Sequence, residues 1–309
     1  MAGHGTRTRL GSPRAVMLTL TAVVLGAAAL SGCSSSASSS SSTTSTSKPS
    51  AGTRYYVSLG DSYATGVQPD ASGESVSTNQ GYPDVLYNDV RPSMPDLQLV
   101  KLGCSGETTT TAIKGGTCHY AEGSQLAAAT SFIRSNQSSI AFVTVELGAN
   151  NFETCVPNGN VDTGCVLDEL ATVETELPQI FQQLRDAGGP QMKIVAMNLF
   201  DPFLAAWLSG SEGQTLAQAS VEVLMEFNQT LRSIHRAAGT RTANVAGAFS
   251  TYDTFSNTTD LPGRGTVPVA VARICQWTWG CAPPPQGPNE HPNAEGYRQI
   301  ANAFRPLVS

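Results

Sequence analysis

Four short segments carry residue types from which a serine hydroxyl could be made nucleophilic. Gly60-Asp61-Ser62 follows the apolar stretch Tyr55-Tyr56-Val57-Ser58-Leu59. Ser62 is therefore expected at a strand-to-helix turn on the carboxyl edge of a sheet, where open α/β sheets place their ligands. Its own backbone N–H, at a helix N-terminus, would face negative charge there. Gly103-Cys104-Ser105-Gly106-Glu107-Thr108 follows a second apolar stretch, and a glycine in such a turn lets a bare N–H approach a ligand closely. Gly148-Ala149-Asn150-Asn151 offers an asparagine amide, a good donor to a developing oxyanion. His291-Pro292-Asn293 opens the last helix and supplies a base. Each segment alone also reads as an ordinary turn. Their combination is what serine ester chemistry requires: nucleophile, base and oxyanion donors.

The other histidines are weaker candidates. His4 lies near the N-terminus, His119 in a cysteine-bracketed loop, and His235 on what reads as the polar side of a helix near its end. The last two are expected to be structural or solvated. Gly60-Asp61-Ser62-Tyr63-Ala64 half-matches the nucleophile elbow of α/β-hydrolases, but in that fold several strands precede the serine. Here barely ten folded residues would do so.

The elements that must position these segments alternate strand with helix, which predicts a parallel sheet covered on both faces. Strands are expected at 55–59, 97–102, 140–147, 192–198 and 242–248. The run Ile140-Ala141-Phe142-Val143-Thr144-Val145 is continuous rather than alternating, as a strand buried on both faces should be. Helices are expected at 82–90, 124–134, 166–187 (kinked or split at Pro178), 215–238 and 293–307. In the fourth, Leu216, Val223, Leu224, Phe227, Leu231 and Ile234 form the apolar stripe. The Gly/Pro-rich stretches 66–81 and 250–290 are too long for simple connections and are expected to shape a substrate cleft.

Residues 1–32 read as an export signal. Arg7, Arg9 and Arg14 precede the apolar run Ala15–Leu30. Leu30-Ser31-Gly32-Cys33 resembles a bacterial lipobox, which would make Cys33 a lipidated mature N-terminus. Residues 33–53 are dominated by Ser and Thr and cannot bury enough apolar surface to order themselves, so they read as a tether spanning on the order of 25 Å. Residues 54–309 form one domain. Loss of the leader removes three arginines and no acid, taking the formal net charge from −6 to −9. With no basic cluster, nucleic acid is excluded as a partner. Behind a secretory signal, Cys104, Cys118, Cys155, Cys165, Cys275 and Cys281 read as disulfides. Six cysteines allow 15 pairings, and their chain order favours the local couples 104–118, 155–165 and 275–281, each stabilising by about 2–3 kcal/mol. No Cys-x-x-Cys or paired-histidine spacing suggests a metal.

The order Gly-Asp-Ser, Ser-Gly-Glu-Thr, Gly-x-Asn and a terminal His-Pro-Asn-x-x-Gly-Tyr resembles the SGNH/GDSL hydrolase superfamily, most closely its secreted actinobacterial lipases and esterases. The resemblance runs across residues 55–309. It implies a three-layer α/β/α fold with a flavodoxin-like sheet of about five parallel strands, and neither metal nor cofactor. It also implies Ser62 as nucleophile, His291 as general base, and an oxyanion hole from the N–H groups of Ser62 and Gly106 with the Asn150 side chain. Two positions depart from the family pattern. Asn151 stands where Asp usually follows the oxyanion asparagine, and Pro288 stands where Asp usually precedes the histidine by three. A Ser-His dyad oriented by a backbone carbonyl from 286–289 is therefore expected, with Glu290 the poorer orienter. The expected substrate is an acyl ester (a lipid, a small ester or an acylated glycan). The expected setting is the outer face of the cell membrane, with the protein held as a monomeric lipoprotein. The rival readings are a binding lipoprotein that has lost activity and an envelope acyltransferase.

Overall fold

A computed structural model of the chain describes residues 52–155 and 162–309. The expected leader, Cys33 and the tether up to Ala51 lie outside them. Five parallel strands form the central sheet: β1 (Arg54–Gly60), β4 (Leu97–Lys101), β5 (Ile140–Glu146), β6 (Ile194–Met197) and β7 (Arg241–Ala243), in the order β4-β1-β5-β6-β7. β1 and β5 are buried along five consecutive residues each. This is why they read as continuous apolar runs rather than alternating ones.

Between these strands run α1 (Ser62–Thr65), α2 (Tyr82–Val90), α3 (Thr109–Lys114), α4 (Gln125–Ser135), α5 (Thr163–Gly188) and α6 (Ser211–Ala237). After β7 come α7 (Val245–Ala248), α8 (Val269–Trp277) and α9 (Ala294–Val308). Helices α2 and α9 pair on one face of the sheet, and α4, α5 and α6 follow one another on the other. That division is what right-handed crossovers require when β1 leads outward to β4 and the chain then returns past β1 to β5. The direction reverses at β1, so its carboxyl end is the topological switch point at which open α/β sheets place their ligands. The three-layer α/β/α architecture expected from the sequence is the one observed.

α9 shows how the layers are held. Tyr297, Ile300, Ala301, Phe304 and Val308 lie on one buried face. Each large side chain there contributes roughly 1.5–3 kcal/mol of apolar burial. Phe304 stacks on Tyr82 of α2 at 4.9 Å between centroids, and Tyr56 of β1 stacks on Phe142 of β5 at 4.4 Å. Disulfides join Cys104 to Cys118, Cys155 to Cys165 and Cys275 to Cys281, the three local couples.

Several expectations need correction. The strand expected at 242–248 ends at Ala243, because the Asn244 side chain caps a helical turn, its Oδ1 accepting the Gly247 N–H at 3.1 Å. Helix α5 is not split, since it continues through Pro178 from Thr163 to Gly188. The buried face of α6 is Ala217, Val221, Phe227, Leu231 and His235, whereas Val223, assigned to the stripe, is 43 % exposed. His235 is thus the structural of its two expected alternatives, but on the buried face of α6 rather than its polar side: its Nδ1 lies 3.0 Å from Thr242 Oγ1, and burial lowers its pKa to about 4. The long stretches carry short hairpins, β2 (Gln68–Pro69) with β3 (Ser75–Val76), β8 (Thr258–Leu261) with β9 (Gly265–Pro268), and β10 (Thr278–Trp279) with β11 (Asn289–Pro292). Among the described residues no helix is long and apolar enough to cross a membrane.

Candidate active site

The carboxyl ends of β1, β4 and β5 and the entry to α9 carry the four segments singled out in the sequence. Gly60 ends β1 with φ +152°, and a Cβ there would lie 2.6 Å from the Glu146 carbonyl oxygen and 2.8 Å from Ala64 Cβ. Only glycine fits the turn. Asp61 then caps α1: its Oδ1 accepts from the Tyr63 N–H at 3.0 Å and from the Ser62 hydroxyl at 3.4 Å. Ser62 is 8 % exposed. Its N–H is the orphan donor of a helix start, and no hydrogen bond among the described residues engages it or the Gly106 N–H.

The β4 loop is sewn to β1. The Cys104 N–H donates to the Gly60 carbonyl at 3.0 Å, and Gly106 turns with φ +79°. Asn150, after β5, joins the loops from above. Its Nδ2 donates to Asp61 Oδ2 at 3.0 Å and to the Glu107 carbonyl at 3.1 Å. Both amide hydrogens are engaged at rest, so stabilising an oxyanion requires Asn150 to exchange or share one of these bonds.

Three buried acids lie beneath. The Asp61 N–H donates to Glu146 Oε2 at 3.1 Å. Burial raises the Asp61 pKa to about 6. Burial, with the Asp61 carboxylate next to it, holds Glu146 well above the usual carboxylate range. Glu107 is pushed up by burial too. Gln125, fully buried at the start of α4, binds across them. Its Oε1 accepts from the Gly60 N–H at 3.0 Å, and its Nε2 donates to the Gly60 carbonyl at 2.9 Å and to Glu107 Oε2 at 3.1 Å.

His291 sits in β11, 9 % exposed, with its ring edge-on to Tyr63 at 5.9 Å between centroids. Its Nδ1 lies 2.8 Å from Asn289 Oδ1, while Glu290 Oε1 is 3.6 Å away on a mostly exposed side chain. Burial lowers the His291 pKa, and the Glu290 carboxylate opposes that. The expected backbone carbonyl from 286–289 is therefore replaced by a side-chain carbonyl. Residues i and i+2 of a strand share a face, so Asn289 lies alongside His291, a register that the position three residues back does not share. At rest the Ser62 hydroxyl faces Asp61 rather than His291.

Asn151, the other departure from the family pattern, is structural. Its Oδ1 accepts from the Thr109 N–H at 3.0 Å and its Nδ2 donates to Glu169 Oε2 at 3.1 Å, tying α3 to α5. His119 forms no part of this cluster. Among the described residues no group of three His, Cys, Asp or Glu is arranged to hold a metal. The sequence assigns no role to Gln125, Glu146 or to the side chains of Glu107 and Asn289. Glu107 is visible as part of the Ser-Gly-Glu-Thr block, and Glu146 as a lone acid closing the most apolar strand.

Among curated proteins none matches the chain significantly. The fold is similar to a GDSL-like protein of Parabacteroides merdae, with 15 % identity over 82 % of this chain and 95 % of that one and a TM-score of 0.52. It also aligns with phospholipase A1 from Streptomyces albidoflavus, at 20 % identity over 83 % of this chain and 98 % of that one with a TM-score of 0.46. An extracellular lipase from Streptomyces rimosus aligns at 18 % identity over 82 % and 98 %, with a TM-score of 0.49. The family model of the GDSL-like lipases/acylhydrolases matches residues 58–299, which span all four segments of the site. The chain belongs to the GDSL-like lipase/acylhydrolase family.

Proposed function

We propose that this ester hydrolase works through a covalent acyl-enzyme on Ser62, with His291 as the base. His291 Nε2 takes the Ser62 proton as Oγ attacks the ester carbonyl, forming the Oγ–C bond and moving the π electrons onto oxygen. The N–H groups of Ser62 and Gly106 and the Asn150 amide receive that oxyanion. Collapse expels the alcohol, which takes the proton back from His291. Water then repeats the sequence with His291 as base, releases the acid and restores Ser62. The observation that carries this reading is the pair of unengaged N–H donors at Ser62 and Gly106, with a histidine whose Nδ1 is occupied packed edge-on against Tyr63, the residue after the serine.

The substrate is an acyl ester, whether of a lipid, a small alcohol or a glycan hydroxyl. The chain acts as a monomer on the outer face of the membrane, exported by residues 1–32 and held by lipid on Cys33. Membrane association that survives Cys33→Ala would remove the anchor from this account. The test of the chemistry is hydrolysis of p-nitrophenyl acetate, butyrate and octanoate by the full chain in detergent, beside Ser62→Ala. Activity that disappears in the variant supports the reading, and activity that survives overturns it.

A further inference from the structure

We propose that Asn289 is the positioning residue of the base: its side-chain amide, held as a neutral acceptor behind Nδ1, orients His291 in place of a carboxylate. The inference rests on the reading of His291 as base, but its geometric core does not depend on activity. Asn289 Oδ1 accepts from the His291 backbone N–H at 3.0 Å. A backbone N–H can only donate, so the amide atom facing it must be the oxygen. The other end agrees, since Asn289 Nδ2 donates to Ser75 Oγ at 3.1 Å. With the oxygen fixed, the ring atom 2.8 Å away must be its donor, so Nδ1 carries the proton. Nε2 is then left with its lone pair, the form needed to receive a proton from Ser62. One amide thus sets both the direction of the ring and its tautomer.

A neutral amide does this without the charge that would stabilise an imidazolium. The titratable groups near the ring do little to replace it. Glu290, on the same strand, is mostly in solvent at 3.6 Å from Nδ1, and Tyr63 of α1 meets the ring edge-on. Asp61, which caps α1, has its carboxylate engaged by the Tyr63 N–H, the Ser62 hydroxyl and the Asn150 amide. Of the other elements packed against β11, β2, β10 and the helical segment Pro202–Ser209 carry no titratable residue. α9 brings Glu295, whose carboxylate is engaged by Arg298 at 3.2 Å. The enzyme so built keeps its base deprotonated to lower pH than a carboxylate-backed one.

The test is Asn289→Asp, an isosteric change that keeps every acceptor, with the Ser75 hydroxyl turning to donate. Two-bond proton–nitrogen spectra of the imidazoles, assigned with His291→Ala, read the tautomer and titration midpoint of His291 in the full chain. The midpoint should rise by about one to three units, as expected for an opposite charge within a few ångströms. The acid limb of kcat/KM should move with it. Asn289→Ala should mix the tautomers and lower kcat while leaving KM and the other imidazole signals in place. An unchanged midpoint in Asn289→Asp, or a pure Nδ1–H tautomer in Asn289→Ala, overturns the proposal. Failure of Ser62→Ala to abolish activity would sink the mechanism instead and leave the spectra unmoved.

Discussion

Gln125 should matter as much as any residue that touches substrate, although it touches none. Its amide pairs with both backbone groups of Gly60 and reaches Glu107, so one side chain links the nucleophile turn to the loop carrying Gly106. Gln125→Ala leaves the Gly60 N–H buried without a partner and removes the donor on Glu107 Oε2. The Gly60 carbonyl keeps the Cys104 N–H. The bond to the Gly60 carbonyl, worth about 1 kcal/mol, and the two stranded polar groups, at roughly 1–3 kcal/mol apiece, together give about 3–7 kcal/mol. That is a drop in Tm on the order of 10 °C for a domain of this size. Gln125→Glu discriminates the cause. It preserves volume and the acceptor for Gly60 N–H, but turns an oxygen toward the Gly60 carbonyl and Glu107. If hydrogen bonding is the reason, Gln125→Glu costs at least as much as Gln125→Ala; if packing is, it is nearly silent. Misplacing the turn by up to an ångström should also lower kcat by about 10–100-fold with little change in KM. Thermal melts and steady-state kinetics on both variants decide it. Unchanged Tm and kcat in Gln125→Ala would refute the clamp.

Gly60→Ala should lose roughly 2–5 kcal/mol in denaturant unfolding, since its Cβ would meet the Glu146 carbonyl oxygen at 2.6 Å in a positive-φ turn; a silent substitution would mean the turn differs. Stability should fall as pH rises from about 4 to 6. Asp61 and Asp201, both held near 6 by burial, keep protons that the unfolded chain has lost. Glu146 and Glu107, also raised by burial, add to the loss, while His235, lowered to about 4, and His291, also lowered, work the other way. The four acids outweigh the two histidines and leave a net loss of roughly a few kcal/mol. A urea midpoint that climbs through this window would contradict the burial argument. Glu290→Gln should shift the acid limb of kcat/KM slightly downward, because the lost carboxylate favours imidazolium. Activity falling as far as in His291→Ala would make Glu290, not Asn289, the orienter.

What the sequence revealed follows local physics. β5 was legible because both faces of a central strand are buried, and α9 because Tyr297, Ile300 and Phe304 repeat at helical spacing. The position of Ser62 was legible because a glycine must end β1 before the chain turns. What stayed hidden depends on partners far away in sequence. Gln125 looks like any polar residue at a helix start, and only the fold brings it to Gly60, 65 residues away. Asn289 is not legible as the orienter because the family pattern points to the position three before the histidine, whereas β11 turns the residue two before it toward the ring. The strand at 242–248 was overextended because Asn244 reads as polar punctuation in an apolar run and acts as a helix cap. The α6 stripe is legible at Phe227 and Leu231, which are buried, and at Leu224 and Ile234, which pack against the core, but Gly213, Ala217 and His235 complete that face and Val223 turns outward.

In the proposed mechanism Ser62 Oγ is the atom that carries the acyl group. Incubating the full chain with an alkyl fluorophosphonate tests it most directly, since attack by an activated serine forms an Oγ–P bond and expels fluoride. Mass analysis of peptides should place a single adduct on Ser62, absent from Ser62→Ala and slowed in His291→Ala. An adduct on another residue, or none on a preparation that hydrolyses esters, would contradict the account.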